Sequence, residues 1–120
     1  MNFINHFILI LLFVIFASCS KEKLNKSVIK EKSLDGQVLE AYTEGIESLR
    51  GGDVLFAAKK FNEAEMLFPQ SDWAPKSALM TAYSYYSQDY LDDAIDELER
   101  FLKVYPLSKN TDYALYLLAT

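Results

Sequence analysis

Covalent chemistry in this 120-residue chain reduces to two single side chains, the thiol of Cys19 and the imidazole of His6. A lone cysteine closes no internal disulfide, and one histidine with one cysteine builds no His/Cys metal site. Both precede residue 20, so a Ser or Asp nucleophile further along has no imidazole base. That pattern argues against an enzyme. The acidic set Asp89, Asp92, Asp93, Asp96, Glu97 and Glu99 could suggest a cation site, but it lacks the glycine and alternating spacing of a calcium loop. Asp92 and Asp93 in a first helical turn are favoured by the helix dipole in any case. The expectation is therefore no metal. A third group could bind without reacting: Tyr42, Leu79, Tyr83, Tyr86, Tyr113 and Tyr116, with Lys76 among them. Tyrosine offers apolar area, a polar tip and few rotamers to freeze, and a lysine can meet a carboxylate.

Cys19 takes its meaning from its neighbours. Residues 7–17 are an unbroken apolar run, too short for the roughly 20 residues that span a bilayer. The run has the length of a signal-peptide core, and small residues come directly after it. Phe16-Ala17-Ser18-Cys19 resembles a bacterial lipobox. Small side chains let the peptidase close on the backbone, and only a thiol accepts diacylglycerol as a thioether. Residues 1–18 are thus expected to be a signal peptide. Cys19 is expected to be the lipidation site, carrying diacylglycerol and an N-acyl chain such as palmitate, with no other cofactor. Ser20, where an Asp would signal retention, points to the outer membrane. The competing reading is a short N-terminal membrane anchor with a chance cysteine.

Charge divides the rest of the chain. Residues 20–33 hold five Lys against two Glu and read as a solvated tether, so that residues 19–34 join the anchor to a domain. Lysines touching anionic headgroups are the alternative role for that stretch. Residues 34–120 hold seven basic against fifteen acidic side chains with no basic stripe, which argues against nucleic acid as a partner.

The elements that must carry the tyrosines emerge from self-comparison. A shift of 37 pairs Ala41 with Ala78, Gly45 with Ala82, Ala57 with Ala94 and Phe61 with Leu98. It also pairs Phe68 with Tyr105, Pro69 with Pro106 and Ser71 with Ser108. Small falls on small, large apolar on large apolar, proline on proline. Each unit reads as two helices. The first helix runs from near Asp35 or Gly36 to Gly51-Gly52, and Asp53 caps a second that ends before Pro69. The third starts at Ser71-Asp72, tolerates Pro75 in its first turn and runs to about Ser87. The fourth carries Leu91, Ala94, Ile95, Leu98, Phe101, Leu102 and Tyr105 at helical spacing and stops at Pro106. Asn110, Thr111 or Asp112 caps a fifth. Small residues at helix crossings, an apolar seam and a terminal proline mark tetratricopeptide repeats. The fold expected is all-α, a tetratricopeptide α-solenoid with units near 37–71 and 72–108 and an incomplete one at 109–120. Such arrays need neighbours to bury each face, so the chain reads as the N-terminal part of something longer.

Lipobox, tether and 37-residue units together resemble the BamD family, tetratricopeptide lipoproteins of the outer-membrane β-barrel assembly machinery. Phe61, Pro69, Ser71, Ala82, Tyr83, Tyr86, Tyr90, Ala94, Phe101, Pro106, Asp112, Tyr113 and Tyr116 stand where that family's pattern asks, over residues 38–120. The resemblance implies a non-enzymatic periplasmic scaffold, lipid-anchored to the outer membrane, that aids insertion of β-barrel proteins. It implies as partners the β-barrel insertase, other lipoproteins of the complex and unfolded outer-membrane proteins. Two other readings stay open: another envelope tetratricopeptide lipoprotein, such as a type IV pilus pilotin or a cell-envelope coordinator, and the N-terminal region of a larger envelope enzyme.

Repeat position places Leu39, Tyr42, Ile46 and Leu49, then Lys76, Leu79, Tyr83 and Tyr86, then Tyr113 and Tyr116 along the concave face. The candidate peptide groove comprises Tyr42, Lys76, Leu79, Tyr83, Tyr86, Tyr113 and Tyr116. Against this stands the reading that the tyrosines only pack one unit on the next.

Overall fold

Glycine, proline and short polar side chains cut the chain into five helices. The computed structural model describes residues 32–120, so the signal peptide, Cys19 and nearly all of the tether lie outside the described residues. The helices are α1 (Leu34–Arg50), α2 (Val54–Leu67), α3 (Trp73–Tyr86), α4 (Leu91–Val104) and α5 (Thr111–Leu118), with no strand among the described residues. The all-α fold is the one expected, and every boundary lies within about two residues of the position read from the sequence.

Local chemistry explains the boundaries. Ser33 caps α1 by accepting the amide of Gly36 at 3.2 Å, with Asp35 in the first turn and Arg50 in the last, each favoured by the helix dipole. Gly52, at φ 85°, turns the chain through the left-handed region that glycine enters without penalty. Asp53 then caps α2, its carboxylate accepting from the Phe56 amide at 3.1 Å. The caps of α3 and α5 work differently. Neither Asp72 nor Asn110 makes a side-chain cap bond. The chain enters α3 through a turn in which the Ser71 amide and hydroxyl both donate to the Phe68 carbonyl, at 3.0 and 2.7 Å, and the Ala74 amide donates to Ser71. Pro75 sits at the third position of α3, where its missing donor has no partner to lose.

The 37-residue repeat reappears hydrogen bond by hydrogen bond. The Asp53 amide donates to Ser48 at 3.0 Å, and its counterpart Tyr90 donates to Tyr85 at 3.1 Å. Ser71 to Phe68 at 3.0 Å is matched by Ser108 to Tyr105 at 3.0 Å. The left-handed Gly52 is matched by Asp89 at φ 61°.

Packing obeys the tetratricopeptide logic. Each helix lies on the next, and α1 also meets α3. Gly45 shows why a small residue is needed at the crossing: a Cβ there would stand 2.7 Å from the ring of Phe61, which is wholly buried. In the second unit the counterparts are Ala82 and Leu98, both buried, so a smaller partner side chain leaves room for one methyl. One cluster gathers Ala78, Leu79, Ala82, Leu98, Phe101, Ala114 and Leu117; another joins Val38, Ala41 and Ala64 under Tyr42, Leu67, Phe68 and Trp73. Burying side chains the size of Phe61, Leu98 and Phe101 contributes roughly 1.5–3 kcal/mol each.

Candidate functional site

Helical geometry decides which tyrosines meet. On α3, Lys76, Leu79, Met80 and Tyr83 fall at intervals of three, four and seven and share one face. Together with Tyr42 from α1, Asn110 before α5 and Tyr113 from α5, they line a depression of about 250 Å³. Five of the seven expected groove residues therefore converge: Tyr42, Lys76, Leu79, Tyr83 and Tyr113. Tyr86, a turn beyond Tyr83 on α3, does not line this depression; it is half-buried against the second unit's core, with its hydroxyl 3.1 Å from Thr120 Oγ1. Tyr116 is exposed and stacks on Tyr113, centroids 6.3 Å apart.

The groove wall is rigid at one end and open at the other. Tyr42 is held edge-on to Phe61 at 5.2 Å and tilted against Trp73 at 5.1 Å, and burial raises the pKa of its phenol. Lys76 holds its ammonium 4.8 Å over the Trp73 ring and pairs with no carboxylate among the described residues. A cation parked on an aromatic face is fixed in place yet keeps its charge available. Leu79 is nearly closed off at 7% exposure, whereas Tyr113 is 44% exposed. The phenol of Tyr113 is raised by burial first, then by the neighbouring phenols of Tyr83, Tyr116 and Tyr86. Along this depression Tyr42 and Leu79 pack inward on the two cores, whereas Tyr113 faces outward.

A second, larger depression of about 590 Å³ adjoins the first and shares Lys76 and Asn110 with it. Pro75, Val104, Tyr105, Pro106 and Leu107 supply its apolar wall, and Asp72 and Lys109 stand at its margin. Behind that wall lies a buried charge that periodicity alone did not reveal. Glu65 of α2 is 7% exposed. Its carboxylate accepts two bonds from the Arg100 guanidinium, at 2.9 and 2.7 Å, and one from the Tyr105 hydroxyl at 2.8 Å. Arg100 also donates to Glu97 at 2.8 Å, engaging one member of the acidic row. Burial and then the bond to Glu65 push the Tyr105 phenol up to about 12. The fork ties the second helix of one unit to that of the next and fixes Tyr105 as the wall of the larger depression. One signal for Glu65 was present: the shift of 37 sets it opposite Leu102, an acid where the other unit has an apolar residue.

The arrangement can hold an extended polypeptide by its side chains. A family model described as outer membrane lipoprotein (YfiO) matches residues 34–120. The outer membrane protein assembly factor BamD of Neisseria gonorrhoeae is 40% identical over 83 residues, 69% of this chain and 31% of the relative. The protein of the same name from Caulobacter vibrioides is 36% identical over 78 residues, 65% of this chain and 26% of the relative. That from Rickettsia prowazekii is 25% identical over 111 residues, covering 92% of this chain and 42% of the relative. The chain thus spans about a third of the length of the curated relatives it matches.

Proposed function

The chain belongs to the YfiO family of outer membrane lipoproteins, and on that premise we propose that it is a non-catalytic outer-membrane protein assembly factor. In this reading Cys19 carries the acyl chains that hold it on the periplasmic face of the outer membrane. The tetratricopeptide groove receives unfolded β-barrel proteins, and the β-barrel insertase and other lipoproteins of the complex are its standing partners. The alternatives of a pilus pilotin, a cell-envelope coordinator or an envelope enzyme gain no support from the relatives, which are named assembly factors.

One observation carries the binding half of the proposal: Tyr42, Lys76, Leu79, Tyr83 and Tyr113, spread over three helices, line a single depression. Aromatic walls suit loose recognition of extended, aromatic-rich chain segments. A photoreactive phenylalanine analogue in place of Tyr113 is expected to crosslink to an unfolded β-barrel protein, and the same group in place of the exposed Met66 on α2 is not. Equal labelling from both positions would overturn the assignment of the groove. For the anchor, Cys19→Ser should leave an unprocessed precursor without lipid label, and retained labelling would overturn acylation.

A further inference from the structure

The array has two edges, and charge divides them. Helices joined by short connections run antiparallel, so the chain enters α1, passes from α2 to α3 and passes from α4 to α5 at one edge. The α1–α2 and α3–α4 turns lie at the other. That far edge is acidic: residues 47–53 and 87–93 hold Glu47, Asp53, Asp89, Asp92 and Asp93 against Arg50. At the near edge, residues 68–76 and 103–112 hold Lys76, Lys103 and Lys109 against Asp72 and Asp112. These three lysines pair with no carboxylate among the described residues, whereas Lys32, Lys60 and Arg100 do. Apolar side chains accompany them. Leu107 is 98% exposed and Val104 51%, and both line the larger depression beside Lys76 and Lys109. By the shift of 37, Leu107 and Lys109 stand where the first unit has Gln70 and Asp72. The second unit thus exchanges a polar, acidic corner for an apolar, basic one.

We propose that this α4–α5 corner docks on an anionic bilayer surface, with Val104 and Leu107 entering the headgroup boundary and Lys103 and Lys109 meeting lipid phosphates. The half-buried Lys76 adds to the local field. The inference rests on the Cys19 anchor and adds to it a second contact, made by the folded array itself. Two arguments favour a lipid surface as the occupant. A fully exposed leucine flanked by unpaired lysines, on a domain that is otherwise acidic, has the composition of an interfacial site. The chain also joins α1 at this same edge, so an anchor at Cys19 brings this edge toward the bilayer ahead of the acidic one. Exposed apolar side chains occur at the far edge too, Tyr90 at 44% and Leu91 at 52%, but Asp89, Asp92 and Asp93 beside them would be repelled by the same surface. Each lysine near an anionic surface strengthens attachment about fivefold, and the attraction fades beyond roughly 8 Å at physiological salt. Such a contact is too weak to hold a free protein. Made by an anchored domain it is intramolecular in effect, and it need only outweigh the domain's freedom to reorient. Docking there stands the helices upright on the bilayer, with the acidic turns pointing away.

The test places the acylated full chain in vesicles of phosphatidylethanolamine and phosphatidylglycerol containing nitroxide-labelled lipid. An environment-sensitive fluorophore is attached through Leu107→Cys or, on the far edge, through Gln88→Cys; acylated Cys19 offers no competing thiol. Fluorescence at 107 should be quenched severalfold more strongly than at 88, and it should lose that quenching when phosphatidylcholine replaces the anionic lipid. Lys103→Glu with Lys109→Glu should lower the ratio of docked to undocked domain roughly thirtyfold, at about fivefold per lysine. Helicity should persist, since both side chains are exposed. Raising salt on the unreversed chain should release the label in the same way and decides the charge argument should the double reversal lose helicity. Equal quenching at both positions, no quenching at 107, or quenching that ignores lipid charge and salt would overturn the docked corner. In each of those cases a chain that still floats with the vesicles leaves the anchor standing. A chain that fails to float with them would overturn the anchor and the docked corner together.

Discussion

Removing either end of the Glu65–Arg100 fork should not cost the same, and burial is the source of the difference. The Glu65 side chain is 9% exposed and the Arg100 side chain 36%. Arg100→Ala strands a carboxylate that cannot rehydrate, leaving it the Tyr105 hydroxyl alone at 2.8 Å. Breaking a buried pair from one side costs about 3–5 kcal/mol, and screening at the exposed guanidinium places this case near the lower end, about 3 kcal/mol. Glu65→Ala instead strands a guanidinium that keeps Glu97 at 2.8 Å and a third of its surface in water. It also recovers the cost of burying the carboxylate, so the expected loss is about 1–2 kcal/mol.

Urea unfolding monitored by helical circular dichroism gives both values directly. For a domain of this size each kcal/mol moves the thermal midpoint by about 4–8 °C, so the two variants should separate clearly in melts as well. If Glu65→Ala proves as costly as Arg100→Ala, unequal rehydration is not what governs the pair.

Three further outcomes are expected. Gly45→Ala should destabilise by about 1–2 kcal/mol in thermal or urea melts, because its Cβ would meet the buried Phe61 ring at 2.7 Å, and that clash outweighs the ~1 kcal/mol gain in helix propensity. Asp89→Gly should stabilise by a few tenths to about 1 kcal/mol by relieving the left-handed φ of 61°, and Gly52→Ala should do the opposite, both read in the same melts. Tyr105→Phe should remove an alkaline transition. The phenol is raised from its ordinary value near 10 to about 12 in the fold, so its contribution is full below about pH 10 and lost as pH rises through about 12. The stability advantage of the wild type over Tyr105→Phe should therefore decay over that window in pH-jump unfolding, by well under the ~2.7 kcal/mol that two pKa units represent, because solvent screens the partly exposed phenol.

The sequence was most legible where backbone chemistry is decisive. Gly51-Gly52, Asp53, Pro69 and Pro106 located helix ends because each restricts φ, supplies a cap or withholds a donor, whatever surrounds it. Asn110, one of three cap candidates, stands at the cap position of α5 without a side-chain cap bond, because the preceding turn built on Ser108 already directs the chain into the helix. Tyr86 illustrates a limit of repeat position. It stands seven residues beyond Leu79 and three beyond Tyr83, on the same side of α3 but a turn further along, where it packs against the second unit's core. Glu65 was hidden for a different reason. An acid on an amphipathic helix reads as solvated unless its partner is known, and Arg100 is 35 residues away in the next unit. The same comparison that defined the fold nevertheless contained this hidden feature. Where two units share their turn hydrogen bonds, a position that breaks chemical type between them signals something other than packing. Glu65 against Leu102 marks the inter-unit clamp. In a repeat protein the matching positions report the scaffold, and the mismatched ones are where each unit has been given a separate task.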